Sequence, residues 1–357
     1  MIDSVNLVNF KCFEELTVNL GPFTVLIGPN DSGKSAFMES IDLVARLGGN
    51  WPGRNSEQLT AMLHRQPGGL KSLWHQHGLV LPIFVRARSG AELVIRLQDG
   101  QAQREVCFRY KPDGSFAFGI NAVPASSPSP GPAVSPWQDK WFSETVAPHK
   151  YIHFNPTALK ADSPINESEF RLDGQGFPTH LENILREDRG AFFEMEKAFY
   201  SRFPQYQSIM VNKDGGNNIL QFKLKNGSLL HARQVSDGAV LYLAFMAVSC
   251  QPNPPSVYLV EEPETGVHPS GLRAIVDALR HLVERGKQIV VATHSPYLLD
   301  LVKPGEVRVF SRADDGTIQV QEMEKMPEMD VWVKHFNTGE IWTNIIEPGL
   351  LPAGEEK

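Results

Sequence analysis

Phe23-Thr24-Val25-Leu26-Ile27 runs without interruption into Gly28-Pro29-Asn30-Asp31-Ser32-Gly33-Lys34-Ser35. The five residues from Phe23 read as a strand buried on both faces. From Lys34 to about Arg46, Phe37, Met38, Ile41, Leu43 and Val44 keep helical spacing. Between strand and helix lies an ungapped GxxxxGK[ST]. Glycines there let successive backbone amides turn inward as an anion nest, and the helix that follows offers its positive end. The spacing predicts that Gly28, Pro29, Asn30, Asp31, Ser32, Gly33, Lys34, Ser35 and Ala36 hold the phosphates of a nucleoside triphosphate. Lys34 reaches the β- and γ-phosphates, and the Ser35 hydroxyl binds magnesium.

A second apolar strand, Val257-Tyr258-Leu259-Val260, ends in Glu261-Glu262-Pro263-Glu264. In an open α/β sheet the carboxyl ends of the strands are where ligands sit. Glu261 is placed to carry magnesium and Glu262 to polarise an attacking water. An acidic turn that is merely solvated is the alternative, which a neighbouring phosphate-binding loop makes weaker. A third buried strand, Gln288–Ala292, ends in Thr293-His294-Ser295-Pro296, which places His294 at the same sheet edge.

Outward from these motifs, residues 5–10 and 15–20 alternate as paired strands. Ile83–Arg88, Leu93–Leu97, Val106–Tyr110 and Phe116–Ile120 read as short antiparallel strands. Residues 124–136 are Pro/Ser-rich and read as a linker. Lys150–Phe154 is a further strand candidate, Pro178–Phe203 carries one helical pattern, and Gly238–Cys250 reads as an apolar helix. The β-α-β alternation of the last third implies a parallel sheet covered by helices. The expected division is an N-terminal lobe (1–123), a linker (124–149), a helix and strand insertion (150–235), a lobe holding the acids and His294 (236–325) and a tail (326–357).

The chain of 357 residues carries a formal net charge of -7 and 41% hydrophobic residues, so it has no chain-wide basic coat for nucleic acid. His64-Arg65 and Arg86-Ala87-Arg88 offer local positive charge, though scattered arginines are more often solvated. Cys12, Cys107 and Cys250 are few, odd in number and far apart. That argues against a disulfide framework and for a reducing cytoplasm. Neither a signal peptide nor an apolar run long enough to span a membrane is present, so a soluble, cytoplasmic protein is expected.

Taken in order, the phosphate loop, Ser236-Asp237-Gly238, Glu261 to Pro269 and Ala292-Thr293-His294-Ser295-Pro296 resemble an ABC-type ATPase, α/β in fold. More narrowly the chain resembles the RecF/SMC/OLD-like group. Val8-Asn9-Phe10-Lys11-Cys12-Phe13 is similar to that group's N-terminal strand, and Gly339-Glu340-Ile341-Trp342 to an element near the end of some members. The resemblance implies a P-loop ATPase head with an antiparallel β subdomain and a helical signature lobe. It implies that Ser236 and Gly238 form the signature, contacting the γ-phosphate bound by a second copy, so that a homodimer sandwiches ATP. His268-Pro269 would lie in the loop that crosses this interface, and His294 would be the switch histidine. Without the resemblance, Ser236-Asp237-Gly238 is an ordinary helix cap.

The sequence departs from the family in places. The signature reads Val235-Ser236-Asp237-Gly238-Ala239, and Glu261 stands where an aspartate is usual. Asn155 lies in the stretch of the glutamine loop but is the wrong residue for it. The interval before the signature holds no long coiled-coil arm. About 60 residues follow His294, too few for a nuclease domain of usual size. Asp314-Asp315 reads as a hairpin turn, not a metal pair. The expected activity is therefore ATP hydrolysis with magnesium, regulating a separate effector such as a nuclease, or a DNA transaction in repair or phage defence. An ATP-gated clamp with negligible turnover is the alternative. The signature and the long interval before it count against a transporter subunit.

Overall fold

The computed structural model describes residues 1–49, 91–99, 102–110, 116–123, 149–167, 170–251, 254–313 and 315–350. The strand expected at Ile83–Arg88, the basic residues near 65 and 87 and the linker at 124–136 lie outside them. In chain order the first elements are β1 (Ile2–Phe10), β2 (Phe13–Asn19), β3 (Phe23–Ile27) and α1 (Lys34–Gly49). They are followed by β4 (Ala91–Asp99), β5 (Ala102–Tyr110), β6 (Phe116–Val123), β7 (His149–Ile152) and α2 (Pro156–Leu159). Next come β8 (Ser163–Pro164), α3 (Phe177–Glu187), α4 (Arg189–Arg202), β9 (Tyr206–Asp214), β10 (Asn217–Leu224) and β11 (Leu229–His231). Then come α5 (Asp237–Cys250), β12 (Val257–Glu261), α6 (Pro269–Glu284), β13 (Gln288–Ala292), β14 (Val307–Arg312) and β15 (Ile318–Glu322), and short helical turns follow β15.

The chain divides into two compact units, one of residues 1–149 with 302–357, the other of 150–301. In the first, an antiparallel sheet runs β2-β1-β4-β5-β6. β3 is buried at every position and pairs in parallel with β14, which turns back into β15. Asp315 accepts from the Thr317 amide in that hairpin, so it serves the turn as its sequence suggests. The apolar stripe of α1 explains its seat: Phe37, Met38 and Ile41 are fully buried, with Phe37 edge-on to Phe310 of β14 at 5.8 Å. Burial of each such side chain is worth about 1.5–3 kcal/mol.

In the second unit β12 and β13 pair in parallel, with Val257 opposite Gln288 and Glu261 opposite Ala292. Parallel neighbours need a crossover, and α6 supplies it. β7 flanks β12 on the other side. α5 is apolar around its whole circumference and accordingly lies buried along nearly its full length. β9, β10 and β11 form an antiparallel meander, and Phe199, Phe203, Tyr206, Phe222 and Tyr242 pack around one another nearby.

The single helical pattern expected over Pro178–Phe203 is two helices. Asp188 takes extended geometry (φ −144°, ψ 90°) and its carboxylate accepts from the Ala191 amide at 2.9 Å. An aspartate competes for backbone donors and favours caps over helix interiors, and here it starts a new helix.

Candidate functional site

The phosphate loop is shaped by contacts that only glycine permits. A Cβ on Gly28 would stand 2.2 Å from the Phe310 carbonyl oxygen, and one on Gly33 2.9 Å from the Phe13 ring. Gly33 is at φ 94° and Asp31 at φ 60°, so the chain turns twice through left-handed geometry before α1. Lys34, only 6% exposed, donates from Nζ to the Gly28 and Pro29 carbonyls at 2.8 Å each and to Ser32 Oγ at 3.3 Å. The ammonium is thereby laid back over its own loop. Arg312 holds the Asp31 carbonyl at 2.8 Å. Asn30, Asp31 and Ser35 face solvent, while Pro29, Gly33 and Ala36 are half-buried. All nine residues from Gly28 to Ala36 thus belong to one turn and the first helical residues after it.

The second unit gathers the remaining sequence candidates except those of the loop. Glu261 ends β12, and both Tyr151 OH and His153 Nδ1 lie 3.1 Å from its Oε2. This contact raises the His153 pKa, against a smaller opposing effect of burial. Glu262 sits at φ 45°, a left-handed geometry that a non-glycine residue adopts at a cost. Its amide donates to the Ala292 carbonyl at 2.8 Å. Its Oε1 lies 3.9 Å from His294 Nε2, with both side chains about two-fifths exposed. The pair can therefore share a proton or a water.

Glu264 ties the two strand ends together. Its Oε1 accepts from Thr293 Oγ1 at 2.6 Å and from the His294 amide at 3.0 Å. Its Oε2 is buried with no partner in the described residues. Burial outweighs these hydrogen bonds and raises the carboxyl's pKa.

Ser236 stands at the N-cap position of α5, yet its side chain makes no capping bond. Ser236 and Asp237 are exposed and Gly238 half-buried. A Cβ on Gly238 would meet nothing nearer than the Gly266 carbonyl oxygen at 3.8 Å, so nothing within this turn requires a glycine there. His268 is exposed in the same unit. Asn155 is used structurally: its side-chain oxygen accepts from the amides of Thr157 and Ala158 at the start of α2.

Tyr151, His153 and Glu264 were not distinguished by sequence reasoning. The one available signal was the alternation of Lys150–Phe154, which puts residues 151 and 153 on one face of a strand.

No group of three or more His, Cys, Asp or Glu among the described residues could hold a metal alone. Magnesium commonly takes one or two protein oxygens and fills its remaining positions with waters and phosphates. The Glu261 carboxylate, held by two side chains, suits one such oxygen.

Comparison with known proteins places these motifs. Residues 126–300 match the family described as "AAA domain, putative AbiEii toxin, Type IV TA system", and residues 1–57 match "AAA ATPase domain". The first match spans the signature, acid and histidine segments, and the second spans the phosphate loop. The chain resembles the ABC ATPases of the SMC- and OLD-like group. The chain is 41% identical over 56 residues to the OLD nuclease of Thermus scotoductus, a match covering 16% of the chain and 10% of that nuclease. Its fold is that of SMC heads. An SMC head bound to the C-winged helix domain of ScpA aligns over 91% of this chain and 99% of its own, with a TM-score of 0.62 and 15% identity. An SMC head bound to the C-terminal domain of ScpA derived from Pyrococcus furiosus aligns over 93% and 98% (TM-score 0.58, 12% identity). That of Thermotoga maritima aligns over 90% and 98% (TM-score 0.52, 12% identity). The chain thus has an α/β P-loop fold, and the two family matches support ATP binding. No helix among its described residues is long and apolar enough to cross a membrane.

Proposed function

We propose that the chain hydrolyses ATP with magnesium as a homodimer that sandwiches the nucleotide, and that this cycle governs a separate effector or a DNA transaction in the cytoplasm. The observation that carries the reading is the Glu262–His294 pair at 3.9 Å, held at the ends of adjacent parallel strands. The backbone nest and Lys34 take the phosphates, and Ser35 with Glu261 would hold magnesium, whose charge offsets that building on the phosphate oxygens. Tyr151 and His153 fix the rotamer of Glu261. Glu262 accepts a proton from the attacking water as the γ-phosphoryl is displaced, and His294 orients the same water and the phosphate.

The signature supports the dimer. Ser236 is exposed and caps nothing, and Gly238 has room that its own turn does not use. Both suit approach to a phosphate held by a second copy. The match to part of the OLD nuclease, the longer match to a family described as a toxin of a type IV system and the ScpA-bound SMC heads support control of a partner, with repair or phage defence the setting that the family resemblance implies. DNA contact and a separately encoded nuclease are expectations of the same kind.

The test is Glu262→Gln. Phosphate release should fall by roughly a hundredfold or more, in line with the loss of a positioned general base. The protein should form a stable dimer when magnesium and ATP are supplied. Unchanged turnover removes Glu262 from this role, and a wild type with no multiple turnover would make the protein a clamp.

A further inference from the structure

The signature turn contains a charge that works against its proposed task. Asp237 is the first residue of α5, beside the Ser236 that would meet a triphosphate, and its side chain is 54% exposed. An acid at a helix N-terminus suits the helix dipole. It does not suit an approaching polyphosphate, which the same dipole would otherwise attract.

The structure supplies a counter-charge from a distant part of the sequence. Lys160 closes the short helix α2, and its side chain, 11% exposed, is ion-paired with Asp237 Oδ1. The same ammonium donates to the Val235 carbonyl at 2.6 Å. It therefore engages a carbonyl and a carboxylate flanking Ser236, one on each side. A second pairing runs between the same two segments: Asp162 lies 3.1 Å from both Arg233 Nη2 and His231 Nε2. The segment 160–162 and the segment 231–237 thus meet through opposite charges in a fixed register.

We propose that Lys160 is a positioning residue whose charge cancels that of Asp237 and turns the carboxylate aside, so that this acid-bearing signature turn can receive a phosphate. The inference rests on the reading of Ser236–Gly238 as a signature that completes a sandwich dimer. In that reading the ion pair is needed twice, once at each symmetry-related turn.

Its test uses the full chain in the Glu262→Gln background with magnesium and ATP, reading the monomer–dimer equilibrium by sedimentation. Lys160→Met should weaken dimerisation at least tenfold per site at low salt, the effect of one uncancelled charge within about 12 Å of a phosphate near the surface, hence at least a hundredfold for the dimer. Half-molar salt should shrink the difference. Asp237→Asn alone should dimerise at least as well as the parent, and the double variant should recover to within about threefold of it. Lys160→Gln keeps a donor for the Val235 carbonyl without the charge, and it should behave as Lys160→Met does; it carries the test if the methionine variant fails to fold. Parent-like dimers from both position-160 variants would overturn this inference and leave the sandwich intact. A double variant as weak as Lys160→Met would also overturn it, since Lys160 would then hold the turn's shape, not its charge. A parent that stays monomeric removes the sandwich reading, and the inference with it.

Discussion

Glu264 offers the sharpest test of how the catalytic edge is held. Its Oε1 receives the Thr293 hydroxyl at 2.6 Å and the His294 amide at 3.0 Å. These two contacts, with the Glu262 amide on the Ala292 carbonyl, set the place of His294 relative to Glu262. Hydrogen bonds to a charged acceptor are worth about 1.5–3 kcal/mol each. Against that stands a buried Oε2 without a partner, which costs about 1–3 kcal/mol. The net hold on the Thr293–His294 segment is therefore about 2–3 kcal/mol. Glu264→Ala should lower kcat by about 30- to 160-fold, since each 1.36 kcal/mol is a factor of ten. KM for ATP should stay within about threefold, because Glu264 belongs to the acid loop and not to the phosphate nest. Glu264→Gln keeps an oxygen for both donors and should restore kcat to within about fivefold. Steady-state phosphate release across ATP concentrations, with thermal melts to confirm folding, gives all three numbers. A rise in KM at constant kcat, or full activity in the alanine variant, would refute the clamp.

Three further outcomes follow from the geometry. Gly28→Ala must displace the Phe310 carbonyl by more than 1 Å and should cost more than about 3 kcal/mol in denaturant melts; Gly216→Ala, at φ 84° with nothing within 4 Å, should cost only about 1–2 kcal/mol. His180 is buried against Phe170, and burial pulls its pKa down from 6.5 to about 4. The unfolded chain therefore binds the extra proton between those values, so stability is full above pH 6.5 and falls as the pH drops toward 4. Between pH 6.5 and 5 this group should remove about 2 kcal/mol, and urea melts of His180→Gln should lose that part of the slope. Tyr151→Phe together with His153→Gln removes two contacts that orient the Glu261 carboxylate. The magnesium concentration that half-saturates nucleotide binding should rise about tenfold, and an unchanged titration would show that the two contacts are idle.

The parts of the site that the sequence reveals are those whose chemistry is local. A phosphate nest needs glycines and a lysine within eight residues, and strand-end acids follow directly on an apolar run. Gly28–Ser35, Glu261, Glu262 and His294 could be proposed from the sequence for that reason. The contacts that orient them come from far along the chain. Tyr151 and His153 are 110 and 108 residues from Glu261, and Lys160 is 77 from Asp237. A tyrosine or lysine in an ordinary strand or turn carries no mark of the partner that folding will bring. The break at Asp188 had a local signal, an aspartate followed by Arg189-Gly190. It was masked because the apolar spacing resumes almost in phase after the new cap. The signature was legible only through family resemblance, since Ser-Asp-Gly before an apolar helix is what any capped helix presents.

The left-handed backbone at Glu262 has a consequence for robustness. A glutamate held at φ 45° costs about 1–2 kcal/mol, which a glycine at the same place would largely recover. Glu262→Gly should then melt no lower than the wild type, and higher where the recovered strain exceeds the added freedom of the unfolded chain. Selection for heat resistance alone would erode this acid, and only demand for its chemistry would keep it in place.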